Sequence, residues 1–373
     1  MFNKLVKHGA AGIIPALYAG LAHGAYQLNL PQPESPIAQQ IYDLHTTILL
    51  VCVLIFCLVF GVMFYSIYKH RKSVGHRAEQ FHENTTVEII WTIIPFCILV
   101  GMAYPATKTI LAMKNTITPD MTIKVTGYQW KWGYDYLQDN VSFYSNLTTP
   151  RDQIENRAPK GEHYLLEVDK PLVVPVGKKV RVLITANDVI HAWWVPAFGV
   201  KQDAIPGFIR DSWFKVDKPG TYRGQCAELC GKDHGFMPIV VEAKEQKDYE
   251  IWLAEQKQKQ AATQVDANKT FTLDELKTQG EKVYNTNCAV CHQASGAGIP
   301  GTFPALNGSK IATGPNPDHF NIVMNGKAGT AMVAFSKQLS DVELAAVITY
   351  ERNAWNNKIG DAIQPGEIKA LRK

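Results

Sequence analysis

The segment from Cys226 to Met237 concentrates side chains that bind soft metal ions. Within twelve residues it holds two cysteines (the second is Cys230), a histidine, His234, and the methionine. Sulfur together with imidazole favours copper, and a second thiolate allows two sulfurs to bridge two copper ions. A disulfide and a zinc site are the alternatives, but the methionine has no purpose in either. His191, which follows a predicted strand upstream, is a further candidate ligand.

A second segment has the spacing of a haem attachment site. Cys288, Cys291 and His292 form the Cys-x-x-Cys-His pattern of c-type cytochromes, in which both thiols add to the haem vinyl groups and the histidine ligates iron. A redox or zinc Cys-x-x-Cys is the alternative, which the adjacent histidine disfavours. Met324 and Met332 both compete to be the sixth ligand of the iron.

Two apolar runs predict a membrane anchor that positions these segments. Residues 44–68 and 87–110 are expected to span the bilayer. Residues 44–68 carry no Asp, Glu, Lys or Arg and are long enough for about 30 Å of hydrocarbon, and residues 89–107 form a second uncharged run. The loop at 69–86 holds four basic residues against two acidic ones. By the positive-inside rule this loop is cytoplasmic, and both chain ends lie outside.

The remaining segments divide the chain further. Residues 1–24 have the layout of a secretory signal peptide, for which a short first span is the alternative, and 25–43 form an external segment. Short strands over 120–245 predict a β-sandwich or barrel. Residues 246–270 are expected to be a helix and a linker that is flexible from Gln256 to Lys269. Capping boxes predict a helical domain over 271–360, followed by a tail at 361–373 without a readable signal.

Composition excludes some classes of function. A formal charge of +4 in 373 residues argues against a nucleic-acid-binding chain, and seven cysteines are too few for a disulfide scaffold. Three of the cysteines lie in the apolar runs, where free thiols behave as small hydrophobes. Every external cysteine therefore belongs to one of the two candidate sites.

The run from Gly224 to Pro238 resembles the CuA motif of subunit II of haem–copper cytochrome c oxidases. Residues 189–193, 203–207 and 127–132 resemble other parts of that family in the right order, over residues 44–241. The resemblance implies a multi-domain membrane protein. The implied fold is a hairpin of two transmembrane helices and a cupredoxin-like β-sandwich, to which a second resemblance, described below, adds an all-α class I cytochrome c domain.

The same resemblance implies a role for each candidate residue. Two cysteines bridge the ions of a binuclear CuA centre, two histidines cap one ion each, and a methionine and a backbone carbonyl are weaker ligands. The implied copper ligands are His191, Cys226, Glu228, Cys230, His234 and Met237. The Glu228 side chain would in addition bind a magnesium ion shared with the catalytic subunit.

Two further residues take roles from the resemblance. Trp130 would pass electrons into the copper site, and its alternative is a half-buried strand tryptophan. Glu88 would stand at the mouth of a proton-uptake channel, and its alternative is an interfacial acid that snorkels to the membrane surface. Trp132 is expected only to pack.

The helical domain resembles class I cytochromes c. The loop from Ile322 to Phe335 resembles their axial-methionine loop, which favours Met332 as the iron ligand beside His292 and leaves Met324 to the core. The first and last helices are expected to cross at Gly280. Pro304 resembles the proline whose carbonyl orients the proximal histidine, with Pro300 as a close competitor.

These resemblances imply a subunit of a caa-type oxidase in the bacterial inner membrane, with its copper and haem domains on the periplasmic side. It would accept electrons through one covalent haem c and pass them through CuA to haem a of catalytic subunit I, for oxygen reduction coupled to proton pumping. Implied partners are subunit I, subunit III and a donor, either a bc-type complex or a soluble cytochrome c. The alternatives are a CuA-containing nitric oxide reductase subunit and a thioredoxin-type copper chaperone.

Overall fold

The computed structural model of the chain describes residues 29–75, 82–266, 268–336 and 338–372. The predicted signal peptide at 1–24 lies outside the described residues. The chain forms two compact units, one that contains most of both apolar helices and one that contains residues 34–38 and everything from Thr107 onward.

Two long helices contain the predicted membrane spans. They are α1 (Pro36–Lys69) and α2 (Thr85–Met113), and both are long and apolar enough to cross a membrane. Helix α1 begins before the predicted span because Ser35 caps it, accepting from the Ala38 N–H at 3.0 Å. Most large side chains along both helices are exposed, as lipid-facing residues would be.

The segment that follows α2, here named the β domain (residues 121–244), consists of two sheets. The strands are β1 Met121–Tyr128, β2 Lys131–Tyr136, β3 Val141–Ser145, β4 Leu172–Pro175, β5 Lys179–Ala186, β6 His191–Val195, β7 Val200–Ala204, β8 Arg210–Lys215, β9 Gly220–Cys226 and β10 Ile239–Lys244. Each sheet has five strands, in the orders β3-β2-β1-β5-β8 and β4-β10-β9-β6-β7. Pairs β1/β5 and β4/β10 are parallel and the rest are antiparallel.

The core of the β domain is built from alternating strand residues. In β5 every second side chain is buried, which is the pattern of a strand with one face toward a core. Trp132, Tyr134, Trp193 and Phe214 are fully buried there. The predicted β-sandwich is confirmed.

Helix α3 (Gln246–Asp266) connects the β domain to the helical region. Its aromatic residues Tyr249 and Trp252 pack on the β-domain core. The expectation of a flexible chain beginning at Gln256 is wrong as far as Asp266. The segment has no Gly or Pro and is rich in Ala, Gln and Lys, so low hydrophobicity there reflects a solvated helix rather than a coil.

The helical domain (residues 271–372) contains α4 (Leu273–Asn287), α5 (Ala289–His292), α6 (Asn316–Asn325), α7 (Asp341–Asn353) and α8 (Pro365–Leu371). The predicted capping boxes are present at Thr272 and Ser340. Helices α4 and α7 cross at Gly280, where a Cβ atom would lie 2.0 Å from the carbonyl oxygen of Ala346. The predicted crossing is therefore confirmed.

The tail that carried no sequence signal is part of this domain. Ile363 and Ile368 are fully or almost fully buried in the helical-domain core, and α8 packs on α7. Seven residues are too few for a helical period to be recognised, so the sequence pattern missed the element.

Short helical turns complete the described structure. They lie at Lys72–Val74, Arg151–Ile154, Pro196–Phe198 and His234–Phe236. The last of them lies inside the cysteine-rich segment and carries one of its candidate ligands.

Candidate functional site

The candidate copper ligands converge on the two cysteines of the β domain. The Sγ atoms of Cys226 and Cys230 are 3.9 Å apart and both thiols are free. A disulfide bond would bring them to about 2.05 Å. His191 Nδ1 lies 3.9 Å from Cys226 Sγ, and His234 Nδ1 lies 3.5 Å from Cys230 Sγ. Each thiol therefore has one imidazole nitrogen beside it.

Two weaker donors complete the cluster. The Met237 Sδ atom is 3.5 Å from Cys230 Sγ, and the carbonyl oxygen of Glu228 is 3.4 Å from Cys226 Sγ. Both cysteines and Met237 are buried. Two thiols, two imidazoles, a thioether and a carbonyl are the donors that copper prefers, so the residues present fit a copper centre.

Strand pairing brings the ligands together across 35 residues of sequence. Strand β6 begins at His191 and pairs with β9, with Trp193 opposite Cys226. The Ala227 N–H then bonds to the Ala192 carbonyl at 3.0 Å, which starts the segment from 227 to 238, here named the ligand loop, beside His191. The backbone must approach His191 closely at Gly127, where a Cβ atom would lie 2.8 Å from the ring.

Hydrogen bonds prepare the ligands electrostatically. Asp188 Oδ1 lies 2.9 Å from His191 Nε2, so the carboxylate holds the proton on that nitrogen and leaves Nδ1 facing Cys226. Burial alone would lower the pKa of His191, but hydrogen bonds with Asp188 and Cys226 outweigh it and raise the pKa. Hydrogen bonding with Cys230, and then with His191, lowers the pKa of Cys226. A thiolate at this position is the form that binds metal.

Two tryptophans hold the ligand loop. The Trp130 indole N–H donates to the Cys230 carbonyl at 3.2 Å, and the Gln129 amide donates to the same oxygen at 2.8 Å. Trp132 donates to the Met237 carbonyl at 3.2 Å, so it does more than pack. Sequence reasoning missed Gln129 and Asp188, although each lies within three residues of a predicted site residue.

The haem attachment segment follows α4 directly. Cys288 ends that helix, and α5 carries Cys291 and His292. Burial raises the pKa of both thiols. The His292 Nδ1 atom lies 2.8 Å from the Pro304 carbonyl oxygen, which confirms Pro304 as the proline that orients it. This contact leaves Nε2 as the nitrogen that can ligate iron, so the donor set fits a c-type haem.

The two candidate methionines differ in burial. Met324 is 5% exposed and belongs to the helical-domain core, whereas Met332 is partly buried at its edge. Close packing shapes the loop between them, because a Cβ atom at Gly326 would lie 2.6 Å from the Met332 carbonyl oxygen. This placement favours Met332 over Met324 as a residue that faces a cofactor.

The two candidate acids, Glu88 and Glu228, are both exposed. Glu88 is in the first turn of α2, where its carboxylate accepts from the Asn84 N–H at 3.4 Å, a contact typical of a helix start. The backbone carbonyl of Glu228 belongs to the cluster, and the residue as a whole is exposed on the ligand loop.

Family comparisons match the three regions separately. Residues 121–244 match the periplasmic domain of cytochrome c oxidase subunit II, and residues 24–109 match the transmembrane domain of that subunit. Residues 275–350 match the family described as cytochrome c oxidase, cbb3-type, subunit III. The first two families imply a copper-binding subunit, and the third implies a c-type haem.

Individual relatives agree with the family matches. Cytochrome c oxidase subunit 2 of Cereibacter sphaeroides is 37% identical over 267 residues, which cover 66% of this chain and 88% of the relative. The Arabidopsis thaliana subunit 2 is 38% identical, over 62% of this chain and 90% of the relative. The periplasmic domain of subunit II from Bradyrhizobium japonicum is 46% identical, over 38% of this chain and 96% of that domain, with a TM-score of 0.34.

The matched regions define a membrane-anchored cupredoxin-like subunit of a haem–copper oxidase that carries a C-terminal cytochrome c domain. The chain belongs to the cytochrome c oxidase subunit II family.

Proposed function

We propose that this chain receives electrons in its helical domain and delivers them through its β domain to the catalytic subunit of an oxidase. There, oxygen reduction is coupled to proton pumping. The observation that carries the proposal is the convergence of six copper-type donors in the same chain as a Cys-x-x-Cys-His segment. When bound, the copper pair and the haem each supply one-electron transfer without making or breaking bonds to substrate.

The contacts support a role for each proposed ligand. Cys226 and Cys230 would bridge the two coppers, and His191 and His234 would bind one copper each. Met237 and the Glu228 carbonyl would be the weaker ligands. Buried side chains and a pre-formed hydrogen-bond frame let the ligands keep one geometry during electron transfer, because rearrangement would have to disturb the packed core.

The helical domain would hold a single haem. Cys288 and Cys291 would attach it, and His292 and Met332 would ligate the iron. The contact between His292 Nδ1 and Pro304 fixes the ring orientation. Trp130 would be the aromatic through which the β domain takes up the electron, because its indole N–H bonds directly to the backbone of Cys230.

The catalytic subunit would bind at the end of the β domain that carries the ligands. Ala204 at the end of β7 lies opposite His191, so the loop after β7 and the ligand loop leave the sheet at this same end. Four large apolar side chains are exposed on these loops and the one before β6. They are Ile190 at 44%, Phe208 and Ile209 at 66%, and Leu229 at 77%. An apolar patch of this kind suits a permanent partner. The exposed carboxylate of Glu228 on the same loop would bind the magnesium ion shared with that partner.

The remaining assignments concern the membrane side. Helices α1 and α2 would anchor the chain in a bacterial inner membrane with the β and helical domains outside. Glu88 would then lie at the cytoplasmic end of α2, at the mouth of a proton-uptake channel continued by subunit I. Subunit III and a donor, either a bc-type complex or a soluble cytochrome c, would complete the pathway.

Spectroscopy of the purified complex tests this function. We expect a mixed-valence dicopper EPR signal and a covalently bound c-type haem in this chain. Oxygen consumption should depend on both. The named relatives are cytochrome c oxidase subunits, which favours oxygen over the alternative substrate, nitric oxide. A complex that reduced nitric oxide but not oxygen would replace the proposal with that alternative.

A further inference from the structure

Two lysines of the β domain reach the helical domain beside its haem attachment segment. Lys131 Nζ donates to Asn287 Oδ1 at 2.9 Å and lies 5.5 Å from the centre of the Phe335 ring. Lys232 Nζ donates to the Val290 carbonyl at 3.4 Å. Lys232 Nζ also lies 6.0 Å from the centre of the Phe303 ring.

Each of these contact points lies within three residues of one that is proposed to hold the haem or to orient its histidine ligand. Asn287 precedes Cys288, and Val290 precedes Cys291. Phe303 precedes Pro304, and Phe335 follows Met332 by three residues. The two lysines thus contact the attachment segment, the segment before Pro304 and the segment after Met332.

The same lysines adjoin the copper site on their own side. Lys131 directly follows Trp130, and Lys232 is two residues beyond Cys230. The contacts therefore join the residue proposed to take up electrons to the segment proposed to carry the haem. A chance surface contact would have no reason to fall at both places.

The Lys131 ammonium group is buried, and its hydrogen-bond partner lies in the helical domain. The residue is only 7% exposed, and burial lowers its pKa to about 8. A buried ammonium group is costly unless it is paired, and its partners include Asn287 of the helical domain. The Asn287 amide nitrogen donates to the Val283 carbonyl at 3.0 Å, which turns Oδ1 toward the lysine.

We propose that Lys131 and Lys232 form a docking clasp, a pair of contacts that holds the helical domain against the part of the β domain that carries Trp130 and Cys230. This inference rests on the proposed function and names the contact through which it operates. Lys131 and Lys232 are positioning residues, because they act on the distance between the two cofactor sites and bind neither cofactor. The partner groups are a neutral amide, a backbone carbonyl and aromatic rings, so docking should depend little on ionic strength.

The test combines hydrogen exchange with electron transfer in the intact complex. The variants are Lys131→Met, Asn287→Ala and the double variant, with Lys124→Met as the control because Lys124 pairs on the surface with Asp135 within the β domain. We expect exchange of the backbone amides around Val290 to rise about tenfold in either single variant, the effect of losing one hydrogen bond to a charged group.

The rate of electron transfer from haem to copper should fall in the same variants. The double variant should show the same exchange and the same rate as either single variant, because both substitutions remove the same contact. The control should change neither quantity. Unchanged exchange and rate in Lys131→Met and Asn287→Ala would overturn the clasp while leaving the function intact. Absence of transfer in the unsubstituted complex would instead overturn the function, and the exchange result would still decide the clasp.

Discussion

The β domain and the helical domain prepare their cofactor sites in different ways. In the β domain the other donor atoms already lie 3.4–3.9 Å from the two cysteine sulfurs, and Cys226, Cys230 and Met237 are part of the buried core. In the helical domain the proximal histidine is oriented by a backbone carbonyl, and Cys288, Met332 and Trp355 are only partly buried against the core. The copper site is thus shaped by the protein, whereas the haem is expected to be part of the helical-domain core.

The largest expected effect follows from that difference. Replacing Cys288 and Cys291 together with serine removes covalent haem attachment. We expect the helical domain to lose its cooperative unfolding transition, because the partly buried apolar residues that would pack against the haem would be exposed to water. The β domain should still bind copper. Hydrogen exchange and copper EPR on the same sample measure both, and a helical domain with unchanged protection would show that the haem is not needed for its core.

Removing one bridging thiol tests the sulfur cluster. Cys226→Ser should abolish the mixed-valence dicopper signal, because one remaining thiolate cannot bridge both ions, while the β domain stays folded. Cys97→Ser is the matched control, since Cys97 lies in α2 and is exposed to lipid in the anchored chain. If the signal of a copper pair persisted in Cys226→Ser, the ligand assignment would be wrong.

Two methionine variants separate ligation from packing. Met332→Ala should keep the haem attached but remove the methionine-to-iron charge-transfer band, because the axial sulfur is lost. Met324→Ala should keep that band and instead destabilise the helical domain by about 2–5 kcal/mol through a core cavity. Optical spectra and thermal melts distinguish the two, and the reverse pattern would move the ligand to Met324.

The smallest effect concerns the helix crossing. Gly280→Ala should destabilise the helical domain by about 1–3 kcal/mol, because the added Cβ atom meets the Ala346 carbonyl at 2.0 Å. Gly366→Ala in α8 is the control, since a Cβ atom there has nothing within 4 Å. The copper signal should be the same in both. Equal melting temperatures for the two variants would contradict the tight crossing.

The sequence was most informative where chemistry is local. Residue spacing alone predicts the candidate ligands in two segments, from Cys226 to Met237 and from Cys288 to His292. The alternation of apolar and polar residues along the strands predicted the β-sandwich. Gln129 was not predictable, because its partners Asp188 and Cys230 become its neighbours only after the chain has folded. Asp188 lies three residues before His191, but no pattern in the sequence shows that its carboxylate turns toward the imidazole ring. The continuation of helix α3 beyond Gln256 was missed for a different reason. Its polar residues resemble a linker in composition, and only their helix propensity distinguishes them.

The contacts between the domains were also beyond the sequence pattern. Lys131 appears as an ordinary strand residue, and nothing in its spacing predicts a partner 156 residues away. With α3 helical over Gln246–Asp266, passage of electrons is expected through a held contact rather than through a freely tethered domain.

The most direct test is the rate of electron transfer from haem to copper after laser-flash reduction of the haem. We expect a rate that does not change with dilution, because donor and acceptor belong to one chain. The rate should also depend only weakly on ionic strength, because the docking partners of Lys131 and Lys232 are neutral. A rate that scales with protein concentration, or that falls steeply between low and physiological salt, would show that the helical domain is not the direct donor to the β domain.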